Sequence, residues 1–127
     1  MNITNAEAEI MEALWRSAPQ AAEDIAASVG TAQGWSDGTV KTLLNRLLSK
    51  GAIAAEKDGR RYLYRPLVTR AAYVNAESRG LLDRLFDGRL APLVAHFSEQ
   101  SALSAEDVAE LKRLVAELDD GGLDDGK

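Results

Sequence analysis

The sequence has no cysteine, a single histidine and no long apolar run, and each absence excludes a class of function. Without cysteine the chain has no disulfide framework, no thiolate nucleophile and no metal site with sulfur ligands. One histidine, His96, excludes a multi-histidine metal site and leaves most catalytic triads without a base. No apolar run approaches the ~20 residues of a membrane span, and the acidic N-terminal segment is unlike a signal peptide. We therefore expect a cytoplasmic, non-enzymatic protein without metal or cofactor.

The composition is that of a globular protein, but its charge is distributed unevenly. The 127 residues are 46% apolar and 28% charged, and their formal net charge is −5. Between Ser36 and Arg70, eight basic and three acidic residues give a net charge of +5, whereas six basic and twelve acidic residues from Ala76 to Lys127 give −6. A polyanion would be attracted to the first segment and repelled by the second, so this distribution favours nucleic-acid binding by one region.

The first third of the chain predicts two helices. Thr4 followed by Glu7 is a capping box, and the apolar spacing after it predicts a helix that ends near residues 17–19. A second, short helix is predicted from Ala21 to about Val29, with Gly30 as its stop and residues 31–35 as a connector.

The third helix has the clearest pattern in the sequence. Ser36 is its predicted cap, Gly51 closes it, and its apolar residues recur at the spacing of one continuous core stripe, namely Val40, Leu43, Leu44, Leu47 and Leu48. The opposite face contains only small, polar or basic residues: Gly38, Thr39, Lys41, Thr42, Asn45, Arg46 and Ser49. A solvated helix face usually mixes acidic and basic residues, and this face does not.

A hairpin follows the third helix. Residues 52–57 and 60–65 read as strands around an Asp58-Gly59 turn, and Pro66 ends the ladder. Three helices followed by a hairpin with a basic tip is the element order of a winged helix-turn-helix. The predicted fold is therefore mainly α-helical with a small β-hairpin wing, and the winged domain spans residues 1–68.

The rest of the chain predicts a helical region over residues 69–119 and a disordered acidic tail over residues 120–127. A long helix begins after Thr69, a shorter one contains Pro92, and a last one is capped by Ser104 and Asp107. Their apolar stripes exceed the needs of one winged domain, which predicts a dimerisation module. The residues predicted at the dimer interface are Tyr73, Leu81, Leu85, Phe86, Leu93, Phe97, Val108, Leu111 and Val115.

The polar face of the third helix and the hairpin tip predict binding to DNA. The major groove admits a helix whose outward side offers donors to bases and phosphates. We predict a recognition helix that contacts DNA through Gly38, Thr39, Lys41, Thr42, Asn45 and Arg46. We predict a wing that contacts the flanking backbone or minor groove through Lys57, Arg60, Arg61 and Tyr62. The helix should supply specificity and the wing mostly salt-dependent affinity.

Two other interpretations remain open at this point. The first is a winged-helix module that binds protein without specific DNA binding, which the acidic overall charge favours and the basic wing disfavours. The second is that the C-terminal helices fold back on the core of their own subunit. An enzyme is the weakest option, since no carboxylate pair, histidine–nucleophile pair or phosphate-binding loop is present.

Nearly the whole chain, from about Ile3 to Leu118, resembles the BlaI/MecI family of penicillinase repressors. The strongest motif is W-S-x-x-T-V-K-T-L-x-x-R-L-x-x-K-G at residues 35–51, and DGRRYLYRPLV, LFDGRLAPLVAHF and LSAEDVAELKRLV follow in the family's order. The resemblance implies a homodimeric winged-helix repressor whose subunits each bind half of a dyad operator, often of TACA/TGTA type, and whose C-terminal helices form the dimer.

The resemblance also implies a mode of induction. Several family members are inactivated when a membrane metalloprotease that senses cell-wall antibiotics triggers cleavage in the dimerisation region, which links the family to antibiotic resistance. The matching bond here joins His96 and Phe97, although well-studied members have asparagine in place of His96. The implied partners are therefore a double-stranded DNA operator, a second copy of the chain, and the sensor protease or a protease downstream of it. A copper-responsive branch uses a cysteine-rich metal site, which this chain lacks.

Overall fold

The computed structural model describes residues 1–120, which divide into two compact units, Met1–Ala76 and a second that begins at Glu77. The predicted tail at residues 120–127 lies outside the described residues except for Asp120, which is the last residue of the last helix. The elements of the first unit are α1 (Asn5–Arg16), β1 (Gln20–Ala21), α2 (Ala22–Ile25), a π-helical turn (Ala26–Gly30), α3 (Thr31–Gln33), α4 (Asp37–Lys50), β2 (Ile53–Asp58) and β3 (Arg61–Pro66). The remaining elements are α5 (Arg70–Leu85), α6 (Leu90–Glu99) and α7 (Ala105–Asp120).

Helices α1 and α4 begin and end where the sequence predicts. The capping box of α1 is complete, because the Glu7 amide donates to Thr4 Oγ1 at 3.2 Å and the Thr4 amide donates to Glu7 Oε1 at 2.9 Å. Ser36 Oγ accepts from the Thr39 amide at 3.1 Å at the start of α4, and Gly51 ends that helix in the left-handed conformation with φ 77°. These caps are local interactions, which is why the sequence alone reveals them.

The predicted helix stop at Gly30 is wrong. Gly30 is helical, with φ −58°, and the chain continues through α3 before Gly34 ends it with φ 75°. The predicted connector at residues 31–35 is therefore mostly helix. Gly30 lies instead in close contact with α4: a Cβ at this position would lie 3.2 Å from Val40 Cγ2, which is closer than ordinary van der Waals contact. Its lack of a side chain lets this segment pack closely against α4.

The predicted hairpin is present, but its turn lies one residue later than expected. Asp58 pairs with Arg61, so the turn residues are Gly59 and Arg60 instead of Asp58 and Gly59. Gly59 has φ +66° at the first central position, as a type II′ turn requires. A two-residue strand that the sequence did not predict, β1, pairs with β3 and completes a sheet of order β1-β3-β2. Three helical elements and this hairpin confirm the winged helix-turn-helix.

The three predicted C-terminal helices are confirmed as helices. The Ala72 amide donates to Thr69 Oγ1 at 3.1 Å, and the Asp107 amide donates to Ser104 Oγ at 3.0 Å, so both predicted caps are in place. No residue of α5, α6 or α7 is fully buried. The core of the described chain lies instead in the first unit, where α1 packs against α4 and the π-helical turn.

One buried ion pair links the start of α1 to the end of α4. Glu7 is the only buried charged residue in the described part of the chain, and Lys50 Nζ donates to its Oε1 and, at 2.6 Å, to the carbonyl oxygen of Asn2. Burial by itself raises the pKa of Glu7, but the hydrogen bonds from Lys50 and Thr4 outweigh it and hold this pKa below its ordinary value.

Lys50→Met should lower the free energy of unfolding by about 3 kcal/mol near pH 7, because it leaves a buried carboxylate without its cation. The stability that the native pair supplies is fully present above the ordinary Glu7 pKa of 4.5 and is lost as the pH falls through the lowered pKa of the folded state. The difference between variant and wild type should therefore shrink below pH 4.5. Urea unfolding across this pH range measures the difference, and Lys57→Met, which removes an exposed lysine, is the control. Equal urea midpoints for Lys50→Met and Lys57→Met near pH 7 would contradict the prediction.

Candidate nucleic-acid interface

Helix α4 is buried along one side and exposed along the other. Four residues of its apolar stripe, Val40, Leu43, Leu44 and Leu47, are buried, and Leu48 is half-buried. The residues of the opposite face are all exposed, namely Gly38, Thr39, Lys41, Thr42, Asn45, Arg46 and Ser49. Residues 38–50 contain no carboxylate, so the exposed side of α4 after Asp37 offers only neutral and positive groups.

A groove of about 440 Å³ lies between α4, α2 and the wing. It brings Lys41 and Asn45 of the predicted recognition helix together with Arg60, Arg61 and Tyr62 of the predicted wing contacts. The other residues that line it are Ala21, Ala22, Glu23, Ala26, Asp37 and Tyr64. Residues far apart in the sequence thus form one surface.

The other predicted contacts lie outside this groove. Thr42 and Arg46 line a shallower depression of about 380 Å³ along α4, together with Asn45, Ser49 and Lys50. Gly38, Thr39 and Lys57 are exposed but line neither concavity.

The basic side chains of this surface differ in whether they are paired. Arg61 contacts Glu23 Oε1 at 3.4 Å and Asp58 Oδ2 at 3.7 Å, with all three side chains more than half exposed. Within residues 1–120, no ion pair involves Lys41, Arg46, Lys57 or Arg60. These four cations are therefore available to an anionic ligand without breaking an internal contact.

Sequence reasoning missed six residues of the groove, among them Glu23 and Tyr64. Glu23 lies in the first turn of α2, and β1 places that turn beside the wing through the pairing of Gln20 with Tyr64. Tyr64 also packs against the core of the first unit. The sequence holds no local signal for this proximity, because a two-residue strand has no detectable alternation.

The predicted dimer residues fall into two groups. Most lie on the C-terminal helices or, for Phe86, just after α5: Leu85, Phe97, Val108 and Val115 are exposed, whereas Leu81, Phe86, Leu93 and Leu111 are half-buried. Tyr73 differs, because its ring lies 5.4 Å from that of Trp15 and packs against the core of the first unit.

The predicted cleavage bond lies inside α6, between two exposed residues. The His96 ring is 5.2 Å from the Phe97 ring and 6.2 Å from the Phe86 ring, measured between centroids. The Gln100 amide donates to the carbonyl oxygen of His96 at 3.2 Å, so this peptide group takes part in the end of the helix. A protease would have to unwind this turn to reach the bond.

The part of the chain that the structure describes contains no cluster of three or more metal-ligating side chains. Over the same residues, no helix combines the length and the apolar character needed to cross a membrane.

The sequence matches the family model for penicillinase repressors over residues 3–117. The chain belongs to this family. It is 31% identical over 115 residues to the penicillinase repressor of Bacillus licheniformis, covering 91% of this chain and 90% of that protein. It is 29% identical over 113 residues to the methicillin resistance regulatory protein MecI of Staphylococcus aureus (strain N315), covering 89% of this chain and 92% of that protein.

A solved structure supports the fold of the first unit. The solution structure of the DNA-binding domain of the repressor BlaI matches with a TM-score of 0.53 and 30% identity, covering 57% of this chain and 88% of that domain. Penicillinase repressors are DNA-binding transcriptional repressors, so this chain is a DNA-binding repressor and not an enzyme. This finding decides against a winged module that binds only protein.

Proposed function

We propose that this penicillinase-family repressor binds a dyad DNA operator as a homodimer and thereby blocks transcription. One observation supports this assignment above the others: the exposed side of α4, free of carboxylates after Asp37, shares a groove with the arginines of the wing. Such a surface offers donors to both base edges and phosphates, the two kinds of contact that a sequence-specific reader needs.

In this proposal α4 enters the major groove. Thr39 and Thr42 contact bases or thymine methyl groups, Asn45 contacts adenine or a phosphate, and Arg46 and Lys41 contact bases or backbone. Gly38 brings the backbone close to the DNA, and the amide groups at the start of α4 favour a nearby phosphate. The buried leucine side holds the helix in this orientation.

The wing contacts the flanking backbone. Arg60 lies at the hairpin turn and Lys57 on β2, and neither is engaged in an ion pair in residues 1–120. Arg61 has to exchange Glu23 and Asp58 for a phosphate, so it contributes less net attraction than Arg60. Tyr62, half exposed, packs beside the backbone.

The homodimer is supported by apolar surface that the described chain leaves uncovered. Eight large apolar side chains between Val74 and Leu118 are exposed, namely Val74, Leu85, Leu90, Phe97, Val108, Leu114, Val115 and Leu118. A largely apolar groove of about 490 Å³ also lies between α6 and α7. Large apolar side chains exposed in this number are typical of an interface, and a second copy would cover them.

Removing a base contact and removing a phosphate contact should have different effects. Arg46→Ala should reduce the ratio of operator to random-duplex affinity by about tenfold, because it removes a base-reading donor. Arg60→Ala should weaken both affinities about equally and lower the slope of log affinity against log salt by about 1. Fluorescence anisotropy at several salt concentrations, with an operator selected from random dyad duplexes, measures both effects. Arg16→Ala, which removes an exposed charge from the last turn of α1, is the control. An unchanged ratio for Arg46→Ala would contradict the proposed role of Arg46 in reading bases.

Val115→Glu should convert the repressor to a monomer, because it places a charge on the apolar surface of α7. Sedimentation velocity should show half the wild-type mass, while binding to a single half-site persists. Ala109→Glu adds the same charge to α7 away from this stripe and should leave the dimer intact. A wild type that sediments as a monomer would disprove the homodimer.

We also propose that proteolysis between His96 and Phe97 relieves repression after a cell-wall antibiotic signal. The cut would separate α7 from the rest of the chain and with it much of the exposed apolar surface. Incubation with the activated membrane metalloprotease sensor, or with the protease that it activates, should produce a fragment whose N-terminal residue is Phe97. Fragments that begin elsewhere, or no cleavage, would contradict this proposal.

A further inference from the structure

Three contacts attach the start of α5 and the residue Val68 just before it to α1. The Trp15 indole N–H donates to the carbonyl oxygen of Val68 at 2.9 Å, and the Trp15 ring lies 5.4 Å from the ring of Tyr73. Arg70 Nε donates to both carboxylate oxygens of Glu12, at 3.0 and 3.2 Å. We call these five residues the α5 anchor.

The α5 anchor is connected to the recognition helix through α1. The residues of α1 that face inward, Ile10, Met11 and Leu14, belong to the same core cluster as Leu44 and Leu47 of α4. The Glu7–Lys50 ion pair joins the two helices at a second place. Helix α1 thus contacts α4 on one side and the first turn of α5 on another, so it holds this first turn against the winged domain.

The orientation of α5 at its first turn matters for a protein that binds two half-sites of DNA. Helix α5 has 16 residues, so it is about 24 Å long. A rotation of about 10° at its first turn therefore moves its far end by about 4 Å, close to the axial rise of one base pair. A dimer formed beyond α5 would carry this displacement into the distance between the two recognition helices.

We propose that the α5 anchor determines which half-site spacing the repressor accepts. Its residues do not contact DNA in this proposal; they are positioning residues. The inference rests on the proposed binding of a dyad by a homodimer. It differs from a purely structural role, because loss of the anchor should change the preference among spacings while each half-site is still bound.

The experiment compares dyad operators that differ only in the number of base pairs between half-sites. The wild type should prefer one spacing over operators shortened or lengthened by one base pair. Arg70→Gln and Glu12→Gln should each reduce that preference by about threefold, the scale of one exposed ion pair. Trp15→Phe should reduce it further, because it removes the hydrogen bond to Val68 and keeps an aromatic ring beside Tyr73.

Three measurements make the result decisive. Affinity for an isolated half-site and the sedimenting mass should be unchanged in the anchor variants. Glu9→Gln removes an exposed carboxylate of α1 that has no ion-pair partner in residues 1–120, and it should retain the wild-type preference. Arg70 is more than half exposed, so Arg70→Gln keeps the test valid even where Trp15→Phe destabilises the fold.

The outcomes separate the two proposals. A dimeric wild type with a clear spacing preference that all three anchor variants retain would overturn the role of the α5 anchor and leave the dyad proposal standing. A dimeric wild type that binds all spacings equally would likewise overturn only the role of the α5 anchor, whereas a monomeric wild type would overturn both.

Discussion

The burial of the leucine side of α4 is the constraint on which the rest of this molecule depends. Leu44 and Leu47 are fully buried, and they pack into one cluster with Ile10 and Leu14 of α1. This packing leaves α4 no freedom to rotate about its axis, so its polar side has to face outward. Exposure of the proposed recognition face is therefore a consequence of how the core packs. The Glu7–Lys50 ion pair adds a second attachment near the end of α4, where a helix held only by its central turns would fray.

The parts of the structure that the sequence predicts well are those set by local interactions. The caps at Thr4 and Ser36 involve residues three apart, and the stripe of α4 follows from helical spacing alone. The misplaced features depend on contacts between distant residues. Gly30 resembles a helix stop until Val40 is known to lie against it, and nothing in the sequence near Glu23 indicates that β1 brings it to the wing. The hairpin turn shifted by one residue because Asp58-Gly59 and Gly59-Arg60 are both acceptable turn dipeptides, and pairing along β2 and β3 decides between them.

The acidic net charge of the repressor is compatible with DNA binding because the two kinds of charge are separated along the chain. The segment that contains α4 and the wing is positive, whereas residues from Ala76 onward are negative. Such a protein is attracted to DNA through one segment of the chain and repelled through the others, which limits non-specific association more than a uniformly basic chain would. The ion pair between Arg61 and Glu23 also limits non-specific association, because it compensates part of the wing's positive charge in the free protein.

Control by proteolysis requires no change in the shape of the winged domain. In the proposed dimer each half-site would make few contacts, so useful affinity would come from tying two of them together, which makes binding of the second half-site an intramolecular event. Cleavage in α6 would leave every residue of the α4–wing groove in place and remove only the link between the copies. Cleavage would then lower the affinity for the operator by the gain that linking the two copies supplies, a factor of about 10² to 10⁴. In this scheme the C-terminal helices contain the site of regulation, and the first unit recognises the DNA sequence. The division of the chain into two compact units near Ala76 is consistent with this separation.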